Sequence, residues 1–433
     1  MESITLKAIY RENRKVNYDF YHSHGLDCYF SGKAFWIEYP ESIEFIPDSV
    51  LAVPFVCCVL PIIWLTDAEL IIPELDAKFY SCIKEVKKGY ETMYPETEWK
   101  GSIVVRKVVP CERLAASGKC AMFYSGGVDS MQTLISHLQE KPTLISVWGS
   151  DVWVDNVDGW KKVFSAIDDA ANYFDLPVFV IRSTFREFDN EGALDRDFHG
   201  QLQDGWWHGV KHGIALLGHV APLAYLYCIE RMYIASSHCP EDGQVRCASN
   251  PIIDNYMRYA NCVVVHDGFE YSRQKKIQNI VKYSENHKMV PVHVCWESQT
   301  GSNCCHCEKC FRTIIGIMSE GGNPEKSGFN NYKAYLHQSR KVVCQQHLFK
   351  VQKSHWTKIK KAVEENRAYL QRLSEWKDIK WILKTDFDHP EKIKLPLLYR
   401  IKSAKGIRGK LSQFMFYQYL KRMKEQIFGG NDV

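Results

Sequence analysis

Two short segments of the chain contain residue types at spacings that can carry chemistry. Residues 125–130 read Ser-Gly-Gly-Val-Asp-Ser, and the two adjacent glycines permit a tight turn with exposed backbone N–H groups. Such a turn in front of a helix binds anions, and phosphate is the obvious guest. The second segment has four cysteines separated by eight, two and two residues: Cys295, Cys304, Cys307 and Cys310. Four thiolates so spaced can bind one structural, tetrahedral Zn²⁺ at about 2.3 Å from each sulfur.

The neighbouring residues narrow both interpretations. No GK[ST] follows residues 125–130, so the segment is not a Walker phosphate loop. Cys305 and His306 lie inside the cysteine cluster, which leaves a site of three cysteines and one histidine open as an alternative. His208 and His212 have the i, i+4 spacing of metal ligands on a helix face. Without a third ligand nearby in the sequence, we interpret them as packing or substrate-contact residues.

Residues 113–330 must position the two segments. They alternate short apolar runs with helical patterns, which predicts a doubly wound α/β domain, a parallel sheet with helices on both faces. The predicted strands are residues 120–124, 143–148, 177–181, 232–236, 262–266 and 291–295. The predicted helices are residues 129–138, 157–174, 209–230, 251–259 and 273–285. Residues 125–130 then join the first strand to the first helix, at the sheet edge where ligands bind in such folds.

The two flanking regions differ from this central domain. In residues 1–112, strands are predicted at 34–39 and 42–46 and a helix at 76–94, which is typical of a small N-terminal α+β domain. Residues 331–433 have little strand signal and predict a helical C-terminal extension. The extension has a net charge of +14, against −10 for residues 1–330. This asymmetry favours an anionic partner such as nucleic acid, unless the basic residues are simply solvated.

The composition excludes several classes of protein. With 433 residues, of which 45% are hydrophobic and 24% charged, the chain is neither a fibre nor disordered. The longest apolar run, residues 50–65, contains two prolines and is shorter than the roughly 20 residues of a membrane span, so we expect a buried helix and no membrane association. The N-terminus lacks an apolar secretory signal, and 16 cysteines in such a chain indicate reduced thiols in a cytoplasmic protein.

The sequence SGGVDS resembles the PP-loop of the ATP pyrophosphatase superfamily, whose members cleave ATP between the α and β phosphates. The resemblance implies that the loop binds the pyrophosphate part of ATP and that Asp129 helps to hold Mg²⁺. The loop residues so implied are Ser125, Gly126, Gly127, Val128, Asp129 and Ser130. Adenine would lie at the ends of the second and third predicted strands, near Gly149 and Ser150.

The cysteine spacing adds a resemblance to the QueC family, which makes 7-cyano-7-deazaguanine from 7-carboxy-7-deazaguanine, ATP and ammonia. In that family a four-cysteine zinc site follows the loop at about the distance that separates Ser125 from Cys295. Residues 272–283 resemble the lysine-bearing helix of the family, which makes Lys275, Lys276 and Arg273 candidate cations for the α-phosphate. Residues 234–258 fall where the family has its substrate loop. The residues of this segment that are candidates, by location, for substrate binding are Asp242, Arg246, Asn250 and Asp254.

The resemblance implies an AMP-forming ligase that activates a carboxylate, first of all the deazaguanine, for attack by ammonia or an amine. Enlarged QueC-like proteins resemble components of bacterial antiviral operons, in which the acceptor would be an amine of a partner protein. Three other functions stay open: a tRNA-modifying enzyme that grips RNA with residues 331–433, activation of a cell-wall or natural-product carboxylate, and a non-catalytic nucleotide-binding assembly subunit. Residues 1–112 would dock a partner or form a homodimer.

Overall fold

The computed structural model describes residues 2–111, 117–288, 291–295, 297, 302–346 and 348–388. The strands are β1 Ser3–Glu12, β2 Lys15–His22, β3 Phe35–Glu38, β4 Glu69–Asp76, β5 Ser102–Val109, β6 Cys120–Phe123, β7 Thr143–Trp148, β8 Val178–Ser183, β9 Arg231–Ala235, β10 Arg258–Tyr259 and β11 Cys262–Asp267. The α-helices are α1 Asp48–Thr66, α2 Ala77–Met93, α3 Val128–His137, α4 Val157–Phe174, α5 Glu191–Leu202, α6 His212–His219, α7 Ala221–Tyr227, α8 Pro251–Asp254, α9 Arg273–Ser284, α10 Glu308–Ser319, α11 Tyr332–Leu336, α12 Ser339–Gln345, α13 Lys350–Glu365, α14 Arg367–Leu370 and α15 Trp376–Ile379. A π-helical turn, Trp207–Lys211, precedes α6, and short 3-10 helices occupy His24–Tyr29, Leu138–Glu140, Pro240–Asp242 and Lys380–Lys384.

The described strands form one sheet in the order β10-β11-β9-β6-β7-β8-β3-β2-β1-β4-β5. From β11 to β8 every neighbouring pair is parallel. The pairs β8–β3, β3–β2 and β2–β1 are antiparallel, and β1, β4 and β5 are again parallel. β10 closes one edge as an antiparallel partner of β11. The sheet is therefore mostly parallel, as the alternating sequence pattern predicted.

Helices cover both faces of the sheet. Successive residues of a strand point to opposite faces, and Ala121 of β6 lies in a different hydrophobic core from its neighbour Met122. Residues of α1, α6 and α7 fill the core that contains Ala121, whereas residues of α3, α4, α9 and α10 fill the core that contains Met122. This arrangement confirms an α/β fold with a layer of helices on each side of a large sheet.

The N-terminal segment is continuous with the central sheet. β3 pairs with β8, which places Ile37 opposite Ser183. α1 is apolar around its whole circumference, so it must be enclosed on all sides, and 89% of its most hydrophobic stretch is buried inside the fold. Among the described helices it alone is long and apolar enough to cross a membrane. It is a core helix of the fold, as the sequence predicted, while the boundary near residue 112 stays a prediction.

Four predicted elements differ from the structure. Residues 42–46 form turns, not a strand, because the Ile46 N–H donates to the carbonyl of Ile43. The segment 291–295 is not a strand either, because the N–H groups of Val292 and His293 donate to carbonyls of loops. The predicted helix 209–230 is divided into the π-helical turn, α6 and α7, and the predicted helix 251–259 ends at Asp254, after which β10 pairs with β11.

The described part of the C-terminal region is helical and packs on the central domain. α13 lies against α10, and Trp356 of α13 donates from Nε1 to Glu308 Oε1 at 2.8 Å. Trp356 also stacks on Phe387 with ring centroids 5.6 Å apart. The helical prediction is confirmed for these residues. Residues 389–433, which hold much of the basic segment considered for nucleic-acid binding, lie outside the described residues.

Candidate functional site

The loop 125–130 connects the carboxyl end of β6 to the first turn of α3, as the sequence predicted. Gly126 has φ +72°, a left-handed conformation that glycine adopts without strain, and Gly127 is the residue before the helix. The hydroxyl of Ser130 donates to the Gly127 carbonyl at 3.2 Å and closes the turn. The N–H groups of the first helical turn have no acceptor inside the helix. The loop therefore presents backbone donors and the positive end of α3 at one edge of the sheet.

Two cations of α9 hold the Asp129 side chain. Arg273 Nη1 lies 2.9 Å from Oδ2, and Lys276 Nζ lies 3.2 Å from Oδ1. Burial alone would raise the pKa of the Asp129 carboxyl group, but the charges of Lys276 and Arg273 outweigh burial and hold the pKa well below its usual range. Both cations are nearly inaccessible to solvent, with 8% of Arg273 and 1% of Lys276 exposed. The loop thus faces a buried, positively charged helix surface.

Lys275 takes a different direction from Lys276. Its Nζ donates to Gln278 at 2.6 Å on the exposed side of α9, and none of its described contacts reaches the loop. Residues three apart on a helix share a face, whereas adjacent residues do not, which explains why Arg273 and Lys276 converge and Lys275 does not. Of the predicted lysines, the structure brings only Lys276 to the loop.

α10 adds further positive charge beside this surface. Arg312 is 5% exposed and its Nε lies 3.5 Å from Glu308 Oε1. Burial, followed by the charges of Arg273 and Arg312, lowers the pKa of Lys309 to about 8. The positive charges of Lys309, Arg273 and Arg312 repel one another at this separation. A bound polyanion would reduce this repulsion and stabilise the three side chains.

The predicted adenine-side residues follow β7 at the same edge of the sheet. Gly149 directly succeeds β7, and the Ser150 hydroxyl donates back to the Val147 carbonyl at 2.9 Å. Arg186 donates from Nη1 to the Ser150 carbonyl at 2.8 Å. Parallel strands end at a common edge, so Gly149, Ser150 and the loop after β6 belong to the same side of the sheet.

The four predicted cysteine ligands converge. The sulfur atoms of Cys295, Cys304, Cys307 and Cys310 all lie within 4.8 Å of one another. Cys295 and Cys307 are separated by 3.9 Å, and Cys304 and Cys310 by 3.8 Å. A tetrahedron with zinc–sulfur bonds of about 2.3 Å has edges of about 3.8 Å, so the cluster has the size of a four-thiolate zinc site. These four residues fit a structural Zn²⁺ ion.

The two neighbouring candidates are not part of this cluster. The Cys305 thiol donates to the Asn330 carbonyl at 3.3 Å, and burial raises the pKa of the thiol to about 11. His306 packs edge-on against Tyr335 with ring centroids 5.7 Å apart. Because four sulfurs already surround one point, the arrangement favours four cysteines over three cysteines and a histidine.

A backbone contact joins the cysteine cluster to the loop. The chain that leads into Cys295 crosses the loop, and the His293 N–H donates to the Gly126 carbonyl at 2.7 Å. The next N–H, that of Val294, donates to the side chain of Asn303 at 2.9 Å, next to Cys304. A metal in the cluster would therefore fix the segment that lies on the loop. Sequence reasoning missed this contact, because a backbone hydrogen bond leaves no residue signature.

Two of the four predicted substrate residues bind other parts of the chain. Asp242 accepts from Ser354 at 2.7 Å and pairs with Lys358 at 3.1 Å, both on α13. Burial would raise the pKa of Asp242, but hydrogen bonds from Ser354 and Lys358 outweigh burial and lower it to about 2. Arg246 pairs with Glu96 of the N-terminal region at 2.9 Å. Both side chains connect the 234–258 segment to flanking regions.

The other two predicted substrate residues organise the segment itself. The Asn250 side chain accepts from the Ile252 N–H at 3.2 Å and caps α8. Asp254 is buried, accepts from the Ser249 hydroxyl at 2.7 Å and lies 2.8 Å from His266 Nδ1. The four candidates thus have separate sets of partners and do not converge on one point in the described contacts.

No protein-family model, curated protein or solved structure matches the chain. The geometry of the loop, the cations and the cysteine cluster is therefore the basis for a functional proposal.

Proposed function

We propose that the protein is a QueC-like enzyme of the PP-loop type, which uses ATP to join a carboxylate substrate to a nitrogen nucleophile. The observation that carries the proposal is the connection of loop 125–130 to two structures at once: the cations of α9 and, through His293, the four-cysteine cluster. The first candidate substrate is 7-carboxy-7-deazaguanine, because the loop and the cysteine spacing together resemble the QueC family.

The residues present fit a triphosphate. Backbone N–H groups of the loop and of the first turn of α3 would bind phosphate oxygens. Arg273 and Lys276, which pair with Asp129, would then also form ion pairs with the phosphates. Asp129, freed in part, would help to hold Mg²⁺. ATP supplies the group that makes a carboxylate electrophilic. The overall reaction consumes carboxylate, ATP and ammonia or an amine, and yields an amide, AMP and pyrophosphate; a nitrile requires loss of the amide oxygen in a second activation.

The test is ATP consumption by the purified full-length protein with 7-carboxy-7-deazaguanine and ammonia, with AMP resolved from ADP. We expect AMP only when the carboxylate is present. Lys276→Met should lower the rate about 100-fold, the cost of removing one group that stabilises developing charge. Lys282→Met is the matched control, since Lys282 is an exposed lysine in the last turn of the same helix, and it should keep the wild-type rate.

Mass spectrometry of the deazaguanine identifies the acceptor. A nitrile or amide in solution indicates ammonia, whereas an adduct on a protein indicates an amine of a partner chain, the outcome expected of an antiviral conjugation system. Zinc-replete protein that binds ATP but forms no AMP with this carboxylate would overturn the deazaguanine assignment. Equal loss of rate in Lys276→Met and Lys282→Met would overturn the role of the α9 cations.

A further inference from the structure

A second group of metal-ligating side chains lies outside the four-cysteine cluster. Ligand atoms of His208, His238 and Cys247 all lie within 4.8 Å of one another. His212 adjoins them, with Nε2 at 3.9 Å from the Cys247 sulfur. The sequence contained the pair His208 and His212 but no visible third ligand, because His238 and Cys247 come from another part of the chain. The fold supplies the missing ligands.

The other ring nitrogens of the two helix histidines are already engaged. His208 Nδ1 lies 2.6 Å from the Asp204 carboxylate, and His212 Nδ1 lies 3.0 Å from the Trp207 carbonyl. In a neutral ring, an acceptor at Nδ1 takes the proton there and leaves Nε2 free to bind a metal. Metal-binding histidines almost always donate their second ring N–H to a carboxylate or a backbone carbonyl in this way.

The remaining two residues also have the character of ligands. Nδ1 of His238 is buried without a hydrogen-bond partner among the residues that the structure describes. Cys247 is 3% exposed and forms no disulfide. A thiol has one proton and is a weak acceptor, so it cannot satisfy several imidazoles by hydrogen bonding alone. A cation bound by His208, His238 and Cys247 would satisfy these three ligand atoms at once.

The backbone is shaped to bring these residues together. His208 lies in the π-helical turn, an uncommon geometry that is frequent at functional sites. The Ala248 N–H donates to the His208 carbonyl at 2.8 Å, which fixes Cys247 beside the turn. Gly213 permits this approach, because a Cβ there would lie 2.3 Å from the Ala248 carbonyl oxygen. The close packing of helix and loop thus depends on a residue without a side chain.

We propose that His208, His238 and Cys247 bind a Zn²⁺ ion. Three protein ligands leave the fourth position of a tetrahedral ion open to water or another small ligand, the pattern of catalytic and not of structural zinc. Binding requires Cys247 as the thiolate, so its proton is released to solvent. The side chain of His208 is 51% exposed, which gives the ion a route from solvent.

The site lies close to the proposed nucleotide-binding loop but does not depend on it. His238 follows β9, and two residues earlier the Ser236 carbonyl accepts a hydrogen bond from Lys276, the partner of Asp129. His238 therefore lies at the same edge of the sheet as loop 125–130. The zinc proposal goes beyond the proposed function, and its test measures metal and not activity.

The first test is the zinc content of purified full-length protein, measured by mass spectrometry after expression with added zinc. His208→Gln and Cys247→Ser should each contain one ion per chain less than the wild type. Two matched controls should keep the wild-type content: His24→Gln, whose side chain is fully exposed, and Cys28→Ser, an exposed free cysteine. Equal zinc in the wild type, His208→Gln and Cys247→Ser would overturn the proposal. His208→Gln keeps the test decisive if the buried cysteine variant fails to fold.

The second test is the ligand environment of zinc, by X-ray absorption. With both sites filled, the average zinc should have about 2.5 sulfur and one nitrogen ligand, since four sulfurs at one site are averaged with one sulfur and two nitrogens at the other. The spectrum of Cys247→Ser should shift to about four sulfurs. A wild-type spectrum with four sulfurs and no nitrogen would also overturn the proposal.

Discussion

Replacement of Asp129 by asparagine tests the charged centre of the candidate site. The substitution keeps the size of the side chain but removes the charge that Arg273 and Lys276 share. The chain offers a matched control, because Asp158 is the second residue of α4, as Asp129 is of α3, and each follows a valine. Asp158 is exposed and pairs only loosely with Lys161, at 3.6 Å.

The expected magnitude follows from burial. Removal of one partner of a buried ion pair costs about 3–5 kcal/mol, because the other charge stays buried without compensation. Asp129 is 19% exposed, so we expect the lower end, about 3 kcal/mol. Asp158→Asn should cost about 0.5 kcal/mol, typical of an exposed helix pair. The favourable interaction of an acid with the amino end of a helix is lost in both variants and cancels in the difference.

The assay is urea unfolding at pH 7 of the wild type and both variants, with unchanged m values as the check that the same surface unfolds. The difference between the two variants should be about 2–3 kcal/mol. Pyrophosphate should stabilise Asp129→Asn more than the wild type, since the anion can take the place of the lost carboxylate. Equal stability of the two variants would refute the buried pairing of Asp129 with the cations of α9.

Two further predictions concern protonation and zinc. Burial lowers the pKa of His219 from 6.5 to about 4. As the pH falls, the unfolded chain therefore takes up a proton on this residue before the folded chain does. The stability that is present above pH 6.5 is lost as the pH falls toward 4. Between pH 7 and pH 5 this proton uptake should lower the free energy of unfolding by about 2 kcal/mol. In urea unfolding, the free energy of His219→Gln should therefore fall by about 2 kcal/mol less than that of the wild type over this pH range. An equal fall in both proteins would contradict a buried, neutral His219. Cys307→Ser should lose one zinc per chain and melt at a lower temperature than the wild type. Cys305→Ser should keep its zinc, because the Cys305 thiol donates to the Asn330 carbonyl and not to the cluster. Equal zinc content in both variants would argue against the four-cysteine site.

The sequence predicted the elements whose signals are local. The strand 143–148 and the helix 157–174 match the structure residue for residue, because a short apolar run and a long amphipathic pattern each give a strong local signal. β1 and β2 were missed, since charged residues interrupt their apolar pattern. The pairing of β3 with β8 joins Ile37 to Ser183, and no local pattern encodes a partner so distant in the chain.

The same distinction applies to the candidate site. The loop and the cysteines were found because glycine pairs and closely spaced cysteines are rare and compact in sequence. The convergence of Arg273 and Lys276 on Asp129, 144 and 147 residues away, needed the fold, although the helical period already separates Lys276 from Lys275. The site of His208, His238 and Cys247 was missed because two of its three ligands, His238 and Cys247, come from another part of the chain and meet His208 only through the fold.

The contacts around the loop would give a metal in the four-cysteine cluster a role beyond stability in the proposed function. Cys307 caps α10, with its sulfur accepting from the Cys310 N–H at 3.4 Å, and α10 carries Arg312 beside the cations of α9. In the segment that leads into Cys295, the His293 N–H donates to the Gly126 carbonyl. A metal ion bound by these sulfurs would therefore fix both the backbone that contacts the loop and the helix beside the cations of α9. Groups that bind a phosphate stabilise it most when they are already held in place, so a structural metal at this point would preorganise the proposed anion site without touching the ligand.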